Sequence, residues 1–332
     1  MKYRVLLLVV GSLAVLAFAV SLTGVTPLEA LKGLIQGSLG SPGAISGTLK
    51  ETTPLLIAGL AVFIALRGGL FNIGVEGQFL VGAIVCAAIA LRIPGVLGMV
   101  VGAVSGMGAG ALWALPAGLI KAYKGGHEVI TTIMLNSVAI FLTGYLVGGP
   151  LKAPGQENTT TAALEESSRL PHLWADPPLF ASSALLLAVL LVVGFAIWQR
   201  RTSAGYELDL VGSNPRAASL AGVKSSRVVV GAMTVSGAVG GLAGAVHVLA
   251  YEGRFYAGFS SGYGFDALGV ALLAAGQPLA LLPSAALFGI LSKGSTAIQI
   301  LGVPKGISTV VLGLVIVVFA AVRYRRVTHE AD

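Results

Sequence analysis

The chain is predicted to be an all-α integral membrane protein of about ten transmembrane helices, in two inverted-repeat halves with interrupted helices. Three observations predict this. First, 55% of its 332 residues are hydrophobic and only 11% are charged, with a mean hydropathy of +0.89, where soluble domains are roughly 25% charged. Second, several apolar segments exceed the roughly 18 residues that a spanning helix needs, which favours helices over a barrel of short alternating strands. Third, polar, glycine-rich breaks interrupt the apolar runs at corresponding places in the two halves, and the 46 glycines suit close helix packing.

Val5 to Val20, behind Met1-Lys-Tyr-Arg4, has the outline of a signal peptide with Ala17-Phe-Ala19 as its cleavage site, but the run continues through Leu22 and is assigned as a retained first span. Residues 26–50 mix Gly, Ser, Pro and charges, and are expected to form an external loop with a short surface helix over Pro27 to Ile35. The second span is placed at Thr53 to Leu66 and the third at Phe79 to Leu91. The fourth, Val96 to Leu119, carries Gly102, Gly106 and Gly110, a doubled small-xxx-small pattern that admits a neighbouring helix. A basic break from Lys121 to Glu128 precedes the fifth span, Val129 to Val147. Gly148 to Pro178 is polar and external, too short to fold as a solute-binding domain of its own.

The sixth span, Leu179 to Trp198, leads into a basic loop over about 199–227, which the positive-inside rule places in the cytoplasm. The seventh, Val228 to Ala250, has a tight face of Gly237, Gly240, Gly241 and Gly244. A Gly-, Ser- and aromatic-rich loop, a short apolar segment Gly264 to Gly276, an apolar run Leu279 to Leu291 and a last span Ile307 to Val322 complete one transmembrane domain over 1–332. An even number of crossings puts both basic termini of this multi-pass protein in the cytoplasm. Spans two to five (about 53–147) and seven to ten (about 228–322) form the two repeats. Leu70-Phe-Asn-Ile-Gly-Val75 matches Tyr263-Gly-Phe-Asp-Ala-Leu-Gly-Val270, and Lys124-Gly matches Lys305-Gly. The odd offset of the matching spans makes the halves cross in opposite senses.

The first break, Arg67 to Gln78, sets charge and amides between uncharged runs. It fits either a broken helix beside a path, where irregular backbone is tolerated if buried, or a polar turn at the membrane surface. Arg67 follows the positive-inside rule and is expected to need no partner. The candidate substrate pathway comprises Phe71, Asn72, Glu76, Gln78, Thr132, Asn136, Phe265 and Asp266. Thr132 and Asn136 share a helix face, as residues bonding to a neighbouring helix also would. Phe71, Tyr263 and Phe265 offer faces on which a nucleobase would stack.

Other chemistries are disfavoured. His127-Glu128 lacks the second histidine of a zincin, since Thr131 stands in its place. No metal-ligand cluster or nucleophile–base pair is visible, so neither an enzyme nor a metal site is expected. The net charge of +7 lies in short loops with no basic aromatic stripe for nucleic acid. No GxxxxGK[ST] loop occurs, so ATP would have to be bound elsewhere, and the chain itself needs no cofactor.

Ser213 to Gly222 specifies a compact helix, with Asn214 as N-cap, Pro215 at the first position and Gly222 past the end. Arg216, Ala217 and Ala218 form its body, and Leu220 is an apolar knob. Docking into a groove of another protein and lying on the membrane surface both fit such a segment.

Gly69-Leu-Phe-Asn-Ile-Gly-Val-Glu-Gly-Gln78, His127-Glu-Val-Ile-Thr-Thr-Ile-Met-Leu-Asn136, Gly212-Ser-Asn-Pro-Arg-Ala-Ala218 with Ala221-Gly222, and Gly264-Phe-Asp-Ala-Leu-Gly-Val-Ala-Leu-Leu273 together resemble the permease subunits of bacterial ABC importers for nucleosides and simple sugars, in the wider group that includes ribose and branched-chain amino acid permeases. The resemblance runs from about Pro27 to the C-terminus. One departure is His127, where the family pattern has Asn before the Glu. The resemblance implies a permease that translocates a nucleoside or simple sugar inward. Its partners would be a second permease, homologous or identical, cytoplasmic ABC ATPases and an extracytoplasmic substrate-binding lipoprotein, and Asn214 to Gly222 would be the coupling helix on the ATPase. From the residues alone, the alternative is a stand-alone, ion-coupled secondary transporter.

Overall fold

The computed structural model describes residues 20–174 and 180–304, together with 11, 14, 17, 18, 306 and 310. Most of the predicted first span, the last span, the basic tail and the repeat match at Lys305 therefore lie outside the described residues. The chain divides into two compact units, Met1–Thr52 with Trp174–Ala181 and Pro283–Asp332, and Thr53–Leu173 with Ser182–Leu282.

In the first unit, Thr26 starts α1 (Pro27–Leu39) with a reciprocal capping box. Its hydroxyl accepts from the Glu29 N–H at 3.3 Å, while the Glu29 carboxylate accepts from the Thr26 N–H at 3.0 Å. α1 covers the short helix expected over Pro27 to Ile35, but the next helix, α2 (Pro42–Arg67), begins well before the expected Thr53, so the rest of the segment predicted as an external loop is helical too. Gly, Ser and Thr here serve close packing. A side chain at Gly37 would meet Ala297, and one at Gly294 would meet Leu34. Thr48 Oγ1 donates to the Ser38 carbonyl at 2.8 Å, and Ser292 donates to Glu51 at 3.1 Å. In a membrane such small polar residues bond between helices and are poor evidence of a loop.

The second unit is built around α3 (Val75–Ala90), a short apolar helix in which nearly every residue is buried. It starts before the expected Phe79 and takes Glu76 and Gln78 into its first turn. Two long helices, α4 (Gly95–Lys124) and α9 (Ser225–His247), pack against it with their glycine faces. The positions where a side chain at Gly106 or Gly244 would sit are occupied by the backbones of Gly82 and Phe79. The glycine spacings predicted as packing faces therefore pack backbone against backbone. The outer helices bury one narrow stripe each: Thr132, Asn136, Ala139 and Thr143 on α5 (Glu128–Gly148), and Ala184, Ala188, Val192 and Ala196 on α6 (Ser183–Arg201).

The segment after α5 carries β1 (His172–Trp174), paired with β2 (Ala181–Ser182), a small departure from an all-helical chain. Its earlier part is strapped onto residues 253–257, where Thr161 donates to the Phe255 carbonyl at 2.8 Å and Leu164 to that of Gly253 at 2.7 Å. The basic loop expected over 199–227 holds the expected short helix, α8 (Pro215–Leu220), and before it a second helix that was not expected, α7 (Ser203–Ser213). Thr202 caps α7 by accepting from the Gly205 N–H at 3.1 Å, and Leu208 and Val211 bury its inner face. After α9 the chain makes one π-helical turn, Val248–Glu252, then forms α10 (Tyr263–Leu273) and α11 (Leu281–Ile300).

Six helices among the described residues are long and apolar enough to cross a membrane, and Val75–Ala90 and Tyr263–Leu273 are shorter apolar helices. The chain is thus a multi-pass membrane protein.

Candidate functional site

The break at 67–78 is a tight reversal from α2 into α3. Gly69 takes φ +72°, a left-handed turn that an L side chain disfavours. Asn72, Glu76 and Gln78 are all buried, so the polar groups of the break lie inside protein. That is the condition under which irregular backbone survives at membrane depth.

Asn72 holds the reversal together. Its amide N–H groups go to Gln78 Oε1 at 3.0 Å and Ser236 Oγ at 2.8 Å, and its oxygen accepts from the Gly74 N–H at 3.0 Å and Gln78 Nε2 at 3.1 Å. Both donors and both lone pairs are thereby used. Asn136, from α5, clamps the other side. It accepts from the Gly77 N–H and donates to the Ile73 carbonyl, both at 2.9 Å. Thr132, one turn earlier, turns its hydroxyl back to the Glu128 carbonyl at 2.8 Å and sets its Cβ against Gly74. Glu128 itself is fixed by Lys121 at 2.8 Å.

Glu76 joins the two interrupted segments. Its carboxylate accepts from the Gly264 N–H at 2.7 Å and is also hydrogen-bonded by the Ser260 side chain. Ser260 Oγ in turn accepts from the N–H groups of Gly262 and Tyr263 at 3.2 and 3.3 Å. Free N–H groups opening α10 thus find a carboxylate and a hydroxyl. Glu76 also stands in the first turn of α3, so its carboxyl group faces the N–H groups at two helix N-termini.

Beside this junction is an aromatic group of which sequence reasoning named only Tyr263. Tyr263 and Phe259 lie 5.0 and 5.2 Å from His247 between ring centroids, Phe79 is 5.5 Å from Tyr263, and Phe255 stacks on Phe259 at 4.7 Å. His247 Nε2 is 3.8 Å from the Glu252 carboxylate. A histidine within an apolar, glycine-rich span was the available signal. Of the remaining predicted pathway residues, Phe71 and Phe265 are 45% and 51% exposed, and Asp266 is half-buried in the first turn of α10.

The cytoplasm-assigned segment has the predicted form. Asn214 Oδ1 accepts from the N–H groups of Arg216 and Ala217, both at 3.1 Å, Pro215 opens α8, and Gly222 follows at φ +82°. Ala218 is buried, whereas Arg216 and Ala217 are exposed and Leu220 is 91% exposed. Arg67 does have a partner, contrary to expectation. Its Nε donates to Asp209 of α7 at 2.8 Å, and Gln199 Nε2 donates to the same carboxylate at 2.9 Å. The reason is α7 itself, which returns an acid to the end of α2. Gly212 packs directly on the backbone of Arg67 and Gly69, so α7 bears on the start of the buried reversal.

Residues 44–320 match the family described as the permease component of branched-chain amino acid transport systems. The chain belongs to that family. It is an ABC transporter permease of the nucleoside and sugar type. It is 32% identical to the nucleoside ABC transporter permease NupB of Lactococcus lactis over 95% of this chain and 87% of that protein. It is also 32% identical to the guanosine ABC transporter permease NupP of Bacillus subtilis, over 95% and 92%, and to the glucose ABC transporter permease TsgB13 of Haloferax volcanii, over 93% and 84%. No solved structure matches the permease.

Proposed function

We propose that the permease translocates a nucleoside into the cytoplasm, driven by a separate ABC ATPase that seats α8 in a groove. The observation that carries this reading is the mounting of α8. A capped helix too short to span presents Leu220 to solvent, and it continues directly from α7, whose Asp209 grips Arg67. Force applied at α8 would pass through α7 to the end of α2 and the reversal at Asn72. A second permease, homologous or identical, would complete the path, and an extracytoplasmic lipoprotein would deliver the solute. ATP is held by the partner, and both termini face the cytoplasm of a bacterial cell.

Ten crossings in two inverted repeats fit this reading. Each described half has a short apolar helix entered through a polar break, α3 and α10, and their N-termini share Glu76. In the pathway, Asn72, Gln78, Thr132 and Asn136 hold the break, while Phe71, Phe265 and Asp266 would meet the solute. The relatives named for nucleoside and guanosine transport support the substrate class. A simple sugar is the second reading, favoured by the glucose permease at equal identity. The stand-alone ion-coupled alternative has no such support. The test is competition. Uptake of labelled guanosine by the assembled transporter should be blocked by excess adenosine and unaffected by excess glucose. Inhibition by glucose alone would select the sugar reading.

A further inference from the structure

In the second unit a cavity of ≈ 550 Å³ lies between α2, α6, α7 and α9. Its walls are almost entirely apolar, with Phe195 and Trp198 on one side and Gly231 and Val235 on the other. Three of the four helices are long and apolar enough to cross a membrane. Trp198 and Val235 are themselves exposed, at 39% and 50%. A half-open apolar recess on the outer face of a membrane bundle is filled more favourably by hydrocarbon than by water.

Two charged residues, Glu207 and Arg227, also line it. Among the described residues, neither forms a salt bridge with the other or with a third group. Trp198 on the same wall is the residue type that settles at the level of lipid headgroups. A single ligand satisfies both charges only if it carries an anion and a hydrogen-bonding cation next to a hydrocarbon tail. Guanidinium pairs well with phosphate, and a carboxylate pairs with a primary ammonium. A purely anionic lipid would leave Glu207 unanswered, and a quaternary ammonium has no N–H to donate to it.

We propose that this cavity is a binding site for phosphatidylethanolamine, with an acyl chain between Trp198 and Gly231, the phosphate on Arg227 and the ammonium on Glu207. Leu208, also in the lining, precedes Asp209 in α7, so the bound lipid buttresses the helix that holds Arg67. The site depends neither on the transported solute nor on which face of the membrane α7 occupies.

The test uses the full chain with Trp113→Phe and Trp174→Phe, leaving Trp198 as the single tryptophan. It is placed in phosphatidylcholine nanodiscs with dilute brominated phosphatidylethanolamine, phosphatidylglycerol or phosphatidylcholine at equal mole fraction. Brominated phosphatidylethanolamine should quench Trp198 several-fold more effectively than the other two. Glu207→Gln should erase its advantage over phosphatidylcholine, and Arg227→Gln, which removes the contact to the phosphate that all three share, should reduce quenching by each of them. Gly231→Leu should reduce quenching by all three, since a Cβ at Gly231 meets no atom within 4 Å and the rest of the side chain would occupy the cavity. Equal quenching by the three lipids would overturn the proposal, as would stronger quenching by phosphatidylglycerol. So would quenching that disappears in discs holding two copies, which would mean that a second chain fills the cavity. The three-lipid comparison on the parent chain decides the matter even if a variant fails to fold.

Discussion

Glu76 accepts a hydrogen bond from the backbone N–H of Gly264 at 2.7 Å, tying the first turn of α3 to the first turn of α10. Replacing Glu76 with Ala leaves buried N–H groups without an acceptor, which costs about 1–3 kcal/mol. Gln keeps one acceptor oxygen and replaces the other with an N–H donor, a smaller loss to which the helix ends add about 0.3–1 kcal/mol. Unfolding in mixed micelles should therefore rank wild type, then Glu76→Gln, then Glu76→Ala. Glu76→Gln should assemble normally with altered transport. Failure of Glu76→Gln to assemble would show that the charge is structural.

Gly264 and Gly231 make a matched pair. A Cβ on Gly264 would overlap the Glu76 backbone, which no side-chain rotation relieves, whereas one on Gly231 meets open space. Gly264→Ala should destabilise by roughly 1–3 kcal/mol or abolish expression. Gly231→Ala, in the interior of α9, should be neutral or stabilising by up to about 1 kcal/mol. Thermal midpoints of the two variants in one detergent test the ordering, and equal midpoints would remove the close approach from the account.

Asn136 donates to Ile73 and accepts from Gly77. Asn136→Ala strands both backbone groups and should cost about 2 kcal/mol or more. Asn136→Asp keeps the acceptor for Gly77 but turns a second oxygen toward the Ile73 carbonyl, so it should also be destabilised. If both variants melt like wild type, Asn136 belongs to the solute path alone.

The helices and their glycine faces were legible because apolar length and small-residue spacing are local properties of the sequence. The capped α8 was legible for the same reason, since Asn214, Pro215 and Gly222 each act within one turn. Within 26–50 the helix starting at Pro27 was legible, but the part after it was misread as loop because Ser38 and Thr48 look polar in sequence yet hydrogen-bond within packed helices. α7 was missed because Arg200, Arg201, Glu207 and Asp209 mask the Leu208 and Val211 stripe. The partner of Arg67 was invisible because Asp209 lies far away in the chain. The saturation of Asn72 and the ring cluster around His247 likewise depend on side chains that only the fold brings together.

Asp209 and Arg67 are each about a third exposed, at 33% and 29% of their side chains, so solvent screening limits the worth of the pair to at most about 1 kcal/mol. Asp209→Asn should shift the melting temperature little, yet lower ATP-driven uptake by loosening α7 from the end of α2. Charge reversal of both residues, Arg67→Asp with Asp209→Arg, should restore part of the uptake. Wild-type transport by Asp209→Asn would remove this link from the route between α8 and Asn72.

Whether a separate ATPase drives the permease through α8 is decided by ATP-dependent uptake of labelled nucleoside into proteoliposomes holding the complete transporter. Leu220→Ala and Arg216→Glu change exposed side chains, so both variants should fold like wild type while uptake falls at least about tenfold, as for loss of an interface anchor worth about 1.4 kcal/mol or more. Unchanged uptake in both variants would contradict the account, as would uptake on an ion gradient by the permease with no ATPase present.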